Sequence, residues 1–193
     1  MDVREFHMPD RDNGRDRKLG SVWEQNFCVM AARCGRSFSP HQWGRNEAAR
    51  WYCHWGMNGQ VNPCLLPDFT IWTAPGEHHE VKHKRPADGD YGLEEYRLNA
   101  LLAFRAETRR PVMYTIHDWE RAGAKQSTDP MPNRLCDWMT VDVRDLKKDL
   151  EINPRSTVPF PTWVNGCKES RPGFFWAKEL WRPLAEWWHV ATK

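Results

Sequence analysis

The stretch from Leu65 to Arg85 constrains this chain of 193 residues more than any other. It reads Leu-Leu-Pro-Asp-Phe-Thr-Ile-Trp-Thr-Ala-Pro-Gly-Glu-His-His-Glu-Val-Lys-His-Lys-Arg. Asp68, Thr70 and Trp72 alternate with Phe69, Ile71 and Thr73, the period of two that a half-buried strand imposes. Pro75-Gly76 is a turn signal, and His78 to Lys84 can return as a second strand. Alternation puts Glu80 and Lys82 on one face, their Cα atoms about 6–7 Å apart, and turns Val81 to the core. In a hairpin the same face can carry Asp68. Two carboxylates and an amine then converge on a small volume, which suits a hard divalent cation held by oxygen atoms with an ammonium beside it.

The second strand breaks a rule. His78 to Arg85 holds one apolar residue, Val81, a poor composition for a central strand unless a site sets its residues. With His78, His79, His83, Lys84 and Arg85 it is also the most basic window of the chain. That suits a phosphate backbone, and a solvated edge strand has the same look. Elsewhere the charges nearly cancel: 28 Lys and Arg against 26 Asp and Glu leave +2, too little for a polybasic coat. Nucleic acid, if it binds, must be met by such local clusters. No run of about 18 apolar residues exists, so no membrane span is expected. The charged N-terminus argues against a secretory signal and for the cytoplasm. None of the six cysteines forms a Cys-x-x-Cys pair, so reduced, mostly buried thiols are expected rather than staples or zinc ligands. Walker, Gly-x-Ser-x-Gly and dinucleotide-binding signatures are absent.

Along the chain, residues 1–18 mix both charge signs and read as a mobile arm, with 19–193 as a single domain. Trp23, Phe27, Met30 and Ala31 give a helix over 21–34, which Gly35 can cap. Ser21-Val-Trp-Glu24 fits a capping box. A short helix is expected over 46–55, and a longer one over 91–108, carrying Leu93, Arg97, Ala100, Leu101 and Phe104. Residues 111–117 and 138–143 read as strands, 118–137 as a polar loop and 145–150 as a short helix. Residues 160–164 read as extended. Trp176, Leu180, Leu184 and Trp188 keep helical spacing, although Pro183 interrupts it. The tryptophans of this C-terminal segment can stack on bases, form a homodimer face or fill the core; core filling is the expectation.

Pro67-Asp68 followed by Glu80-Val81-Lys82 resembles the signature of the PD-(D/E)XK nuclease superfamily. The resemblance implies a restriction-endonuclease-like α/β fold, a mixed central sheet built on the 65–85 hairpin and flanked by helices. It implies a Mg²⁺- or Mn²⁺-dependent nuclease, an endonuclease of the resolvase or phage-defence type, with DNA the expected partner. Asp68 and Glu80 would hold the metal with the Val81 carbonyl, and Lys82 would act on the attacking water or the phosphate. Glu24 is similar in position to a first-helix glutamate of the family that faces the metal, which competes with its capping reading. The helix after the hairpin often supplies a further site residue, here one of Tyr91, Glu95, Tyr96 and Arg97. His83, Lys84, Arg85, Tyr96 and Arg97 are the candidate nucleic-acid contacts. A catalytically silent nucleic-acid-binding or protein-interaction module of the same fold is the alternative.

Overall fold

The computed structural model describes residues 14–41, 51–55, 61–73, 76–87, 89–125, 129–164 and 167–190. Helix α1 spans Gly14–Arg33 and leads to β1, Phe38–Pro40. A two-stranded ribbon follows, β2 Trp51–Trp55 with β3 Val61–Leu65, and then β4, Phe69–Ile71. Strand β5, Glu77–Lys84, is followed by β6, Asp90–Glu94, and α2, Glu95–Thr108. Strands β7, Val112–Asp118, and β8, Trp138–Asp142, precede α3, Val143–Ile152. A long hairpin, β9 Val158–Val164 and β10 Cys167–Ala177, leads to β11, Arg182–Pro183, and a single turn α4, Leu184–Trp187.

Six strands form the central sheet in the order β1-β4-β5-β7-β8-β11. The pair β5 and β7 is parallel, with β6 and α2 in the crossover, and the other pairs are antiparallel. The sheet is therefore mixed and flanked by helices on both faces. Its two faces are written in the alternation of the strands. Phe69, Ile71, Val81 and Trp138 meet Trp23, Phe27, Met30 and Ala31 of α1 on one side. Val112, Tyr114, Ile116, Met139 and Val141 meet Leu98, Leu101 and Phe104 of α2, Leu146 of α3 and Trp176 of β10 on the other. Trp176, Trp181 and Trp188 are buried, as core filling requires.

Several elements differ from the sequence expectation. Helix α1 begins at Gly14, so 14–18 of the supposed arm are helical, while 1–13 lie outside the described residues. Trp51 to Trp55 is a strand: aromatic residues favour the pleated backbone. Of the helix expected over 46–55, residues 46–50 lie outside the described ones. The helix after the hairpin starts four residues late, because Asp90–Glu94 pairs with β10. Gly92 permits this pairing, since a Cβ there would come within 2.3 Å of the Phe160 ring and 2.7 Å of Phe175. The C-terminal helical spacing is likewise overruled: β10 runs through Trp176, and Pro183 confines the helix to one turn.

Strand β5 is central and buried despite its polar sequence, and a hydrogen-bond network explains how. Glu77 Oε1 accepts from Trp188 Nε1 at 2.7 Å and lies 2.9 Å from His79 Nε2; Oε2 accepts from Trp187 Nε1 at 2.5 Å. His79 Nδ1 is 2.8 Å from Thr115 Oγ1, which is 2.8 Å from Thr140 Oγ1. Three strands and the last helical turn are thus tied through one carboxylate. Burial alone would raise the Glu77 carboxyl, but His79 and the two indole N–H groups outweigh it and bring it from 4.5 to about 2. A lowered value means the stabilisation is complete above about pH 4.5 and is lost as pH falls toward 2. The loss is of the order of 3 kcal/mol. Urea unfolding between pH 5 and 2 is expected to show this slope in the wild type and a flatter one in Glu77→Gln. Equal slopes would show that Glu77 does not carry the acid sensitivity.

Candidate active site

Asp68 stands immediately before β4, and alternation carries its side chain with Thr70 to the α2 side of the sheet. The pairing of β4 with β5 ends at Phe69 and His79. Past that point the Val81 N–H donates to Asp68 Oδ2 at 2.7 Å, so the carboxylate takes the place of the next backbone partner. In a strand the N–H and C=O of one residue leave on the same side, so the Val81 carbonyl also faces the gap where the strands part.

Glu80 is fully buried and lies beside Tyr114 in the parallel pair. Its Oε1 receives two cations, Lys82 Nζ at 2.5 Å and Arg97 Nη1 at 2.9 Å. Lys82 Nζ is also 3.8 Å from Asp68 Oδ2. Arg97 comes from the first turn of α2, is 1% exposed, and places Nε 3.7 Å from Glu94 Oε2. The buried Tyr114 hydroxyl has no hydrogen-bond partner among the described residues. Burial first, then Glu94, push it well above its ordinary value, and it stays protonated. Among the described residues the cluster brings together the carboxylates of Asp68, Glu80 and Glu94, the side chains of Lys82 and Arg97 and the Tyr114 phenol. Lys82 is half-buried, at 23% exposure.

Among the described residues no three His, Cys, Asp or Glu side chains group so as to hold a metal ion alone. The donor set nevertheless fits a hard cation. The Lys82 ammonium stands in for one, in contact with both Asp68 and Glu80, and every donor there is oxygen. Mg²⁺ and Mn²⁺ are commonly held by one or two carboxylates, with water and substrate phosphate completing the shell.

The other sequence candidates divide. Asp68, Glu80, Val81 and Lys82 are brought together as the hairpin alternation requires. Glu24 is half-buried on α1, the helix that covers the opposite face of the sheet. Its capping reading is overturned: Ser21 lies seven residues inside α1, and a cap needs a non-helical backbone. Its charge, after burial, helps raise the Cys28 thiol to about 12. Arg97 is corrected from a nucleic-acid contact to an internal partner of Glu80, because a guanidinium 1% exposed cannot meet a phosphate backbone. The basic run is split by the pleat. His83 stacks on Trp23, with ring centroids 4.5 Å apart, on the α1 side. Lys84 donates to the Gly92 carbonyl at 3.2 Å on the other side. Arg85 is exposed, its guanidinium 5.4 Å from the Trp119 ring centroid. Tyr96 is half-buried beneath Arg171 at 5.1 Å. Cys28, Cys34, Cys64 and Cys136 are in no disulfide; Cys28 and Cys64 are buried and Cys136 is exposed.

Glu94 and Tyr114 were not candidates from the sequence. The spacing Glu94-x-x-Arg97 at a helix start was a usable signal for the first. Tyr114 lies in an apolar strand and reads as core.

No protein-family model matches the chain, and no curated protein matches it. Among solved structures it is similar to Hjc of Archaeoglobus fulgidus, a Holliday junction resolvase from an archaeal hyperthermophile. The two share 12% identity and a TM-score of 0.47, over 90% of this chain and 98% of that one. Among the described residues, no helix is long and apolar enough to cross a membrane.

Proposed function

We propose that the chain is a metal-dependent endonuclease that hydrolyses phosphodiester bonds in DNA. The observation that carries this reading is the Lys82 ammonium touching both Asp68 and Glu80 where β4 and β5 part. It supports the assignment made from the Pro67-Asp68 and Glu80-Val81-Lys82 signature. Asp68, Glu80 and the Val81 carbonyl would hold Mg²⁺ or Mn²⁺, which when bound acidifies a water and neutralises phosphate charge. Asp68 is oriented for this by the Val81 N–H, and Glu80 by Arg97. Lys82, half-buried, would leave Glu80 and donate to the phosphate oxygens as charge builds on them. Arg85, exposed just past the end of that strand, would add a contact to the backbone of the substrate.

The test is a substrate panel of supercoiled plasmid, linear duplex, single strands, a four-way junction and RNA, each with Mg²⁺ or Mn²⁺. Cleavage of at least one DNA form, internal to a closed circle or at a junction, is the expected result. Salt-dependent DNA binding without cleavage of any form would leave only a binding module of this fold.

A further inference from the structure

We propose that Trp119 and Arg85 form a stacking platform that takes an unpaired base of the substrate within about three nucleotides of the scissile phosphate. Resting on the nuclease reading of the adjoining site, the platform would favour DNA with a single-stranded gap over a continuous duplex. Trp119 is out of place as a core residue. Trp23, Trp138, Trp176, Trp181 and Trp188 are buried, whereas Trp119 is half-buried. Among the described residues it belongs to neither cluster that fills the faces of the sheet. It follows directly on the last paired residues of β5 and β7, Lys84 and Asp118. Its N–H donates to the Lys84 carbonyl at 3.1 Å, and its carbonyl accepts from the Ala124 N–H at 3.0 Å. Asp118 Oδ1 accepts from the N–H groups of Glu120 at 3.0 Å and Arg121 at 3.3 Å, and Gly123 takes φ +83° in the same turn. The backbone of the turn therefore fixes where the indole stands.

Arg85 is exposed beside it, its guanidinium 5.4 Å from the ring centroid. That is near the outer limit of about 6 Å for a cation–π contact, so the guanidinium does not seal the ring. Both groups are planar, and a nucleobase stacks on an indole or a guanidinium alike. The cation also answers the phosphate charge that accompanies every base. Position ties the pair to the site. Strands β4 and β5 part beyond Phe69 and His79, and β5 runs on through Glu80 and Lys82 to end one residue before Arg85. Lys82 and Arg85 are three residues apart, about 10 Å of extended chain or about three nucleotide steps. A base in a continuous duplex must be unstacked and unpaired to reach the platform, at a cost that a base in a gap largely escapes. Trp72 supplies a control. It is 54% exposed with the Arg110 guanidinium 5.5 Å from its ring, but it stands past Ile71, at the end of β4 where the strands are paired.

Fluorescence anisotropy of the full chain, in Ca²⁺ and at fixed salt, compares a continuous duplex with the same duplex carrying a short single-stranded gap. The wild type should bind the gapped form at least about fivefold more tightly. Trp119→Leu should bring that preference below about twofold while duplex affinity holds, and Trp119→Phe and Trp72→Leu should retain it. A turn residue with only a structural role would shift both affinities together and leave their ratio. If Trp119→Leu does not fold, photocrosslinking of the wild type from iododeoxyuridine in the gap decides. Attachment at Trp119 is expected, and attachment elsewhere or none overturns the proposal. A preference that survives in Trp119→Leu, is lost equally in Trp72→Leu, or is absent from the wild type also overturns it; if that wild type cuts DNA in Mn²⁺, the nuclease reading stands. A Trp119-dependent preference in a chain that cuts no form of DNA keeps the platform and overturns the nuclease reading.

Discussion

Lys82→Ala is expected to slow cleavage of bound DNA at least about a hundredfold while DNA affinity stays within about threefold. The structure supplies the reason for separating the two quantities. Among the described residues Lys82 and Arg97 both pair with Glu80, and Arg97 remains when Lys82 is removed. The buried carboxylate therefore keeps a partner, and the fold survives the substitution. What is lost, on the proposed nuclease reading, is the ammonium that would meet the phosphate as negative charge develops. Single-turnover cleavage at saturating protein, alongside anisotropy titrations, measures both quantities. A collapse of affinity with a normal rate on bound DNA would reduce Lys82 to a backbone contact.

Asp68→Asn should abolish cleavage, with at least about a hundredfold loss, and leave the melting temperature within a few degrees of wild type. The structural task of Asp68 is to accept the Val81 N–H at 2.7 Å, and an amide oxygen does this as well as a carboxylate. Its proposed task at the metal needs the negative charge, which Asn lacks. Asp68→Ala fails at both, leaving the Val81 N–H without its acceptor at a cost of about 1–3 kcal/mol. Thermal melts and cleavage rates of the two variants separate the tasks. An Asp68→Asn protein that cuts normally would make Asp68 a tie between strands and nothing more.

The juxtaposition of the candidate residues was legible in the sequence because strand alternation is a short-range rule. Asp68, Glu80 and Lys82 share a face for the same reason that Phe69, Ile71 and Val81 share the other, and no long-range contact is needed to see it. The mixed sheet was legible for related reasons, since its strands are bounded by turn residues. Glu94 and Tyr114 were not visible because they join the site through tertiary packing: β6 must first pair with β10, a contact between residues about 80 positions apart in the chain. The helix expected over 91–108 failed at its start for the same reason. The capping alternative for Glu24 failed because periodicity locates the buried part of a helix, whereas α1 runs through seven more residues before Ser21. Strand β5 looked too polar to be central because its satisfaction comes from Trp187, Trp188 and Thr115, far away in sequence.

Whether the Asp68–Glu80–Lys82 cluster cuts DNA through a bound divalent cation decides the nuclease reading. The most direct measurement follows DNA cleavage by the purified chain in Mn²⁺, then in excess EDTA, then with Mn²⁺ restored, with Glu80→Gln run beside the wild type. The wild type should cut, stop in EDTA and resume on restoration, and Glu80→Gln should stay at background throughout. Cleavage that persists in excess chelator, or a Glu80→Gln protein as active as wild type, would contradict it.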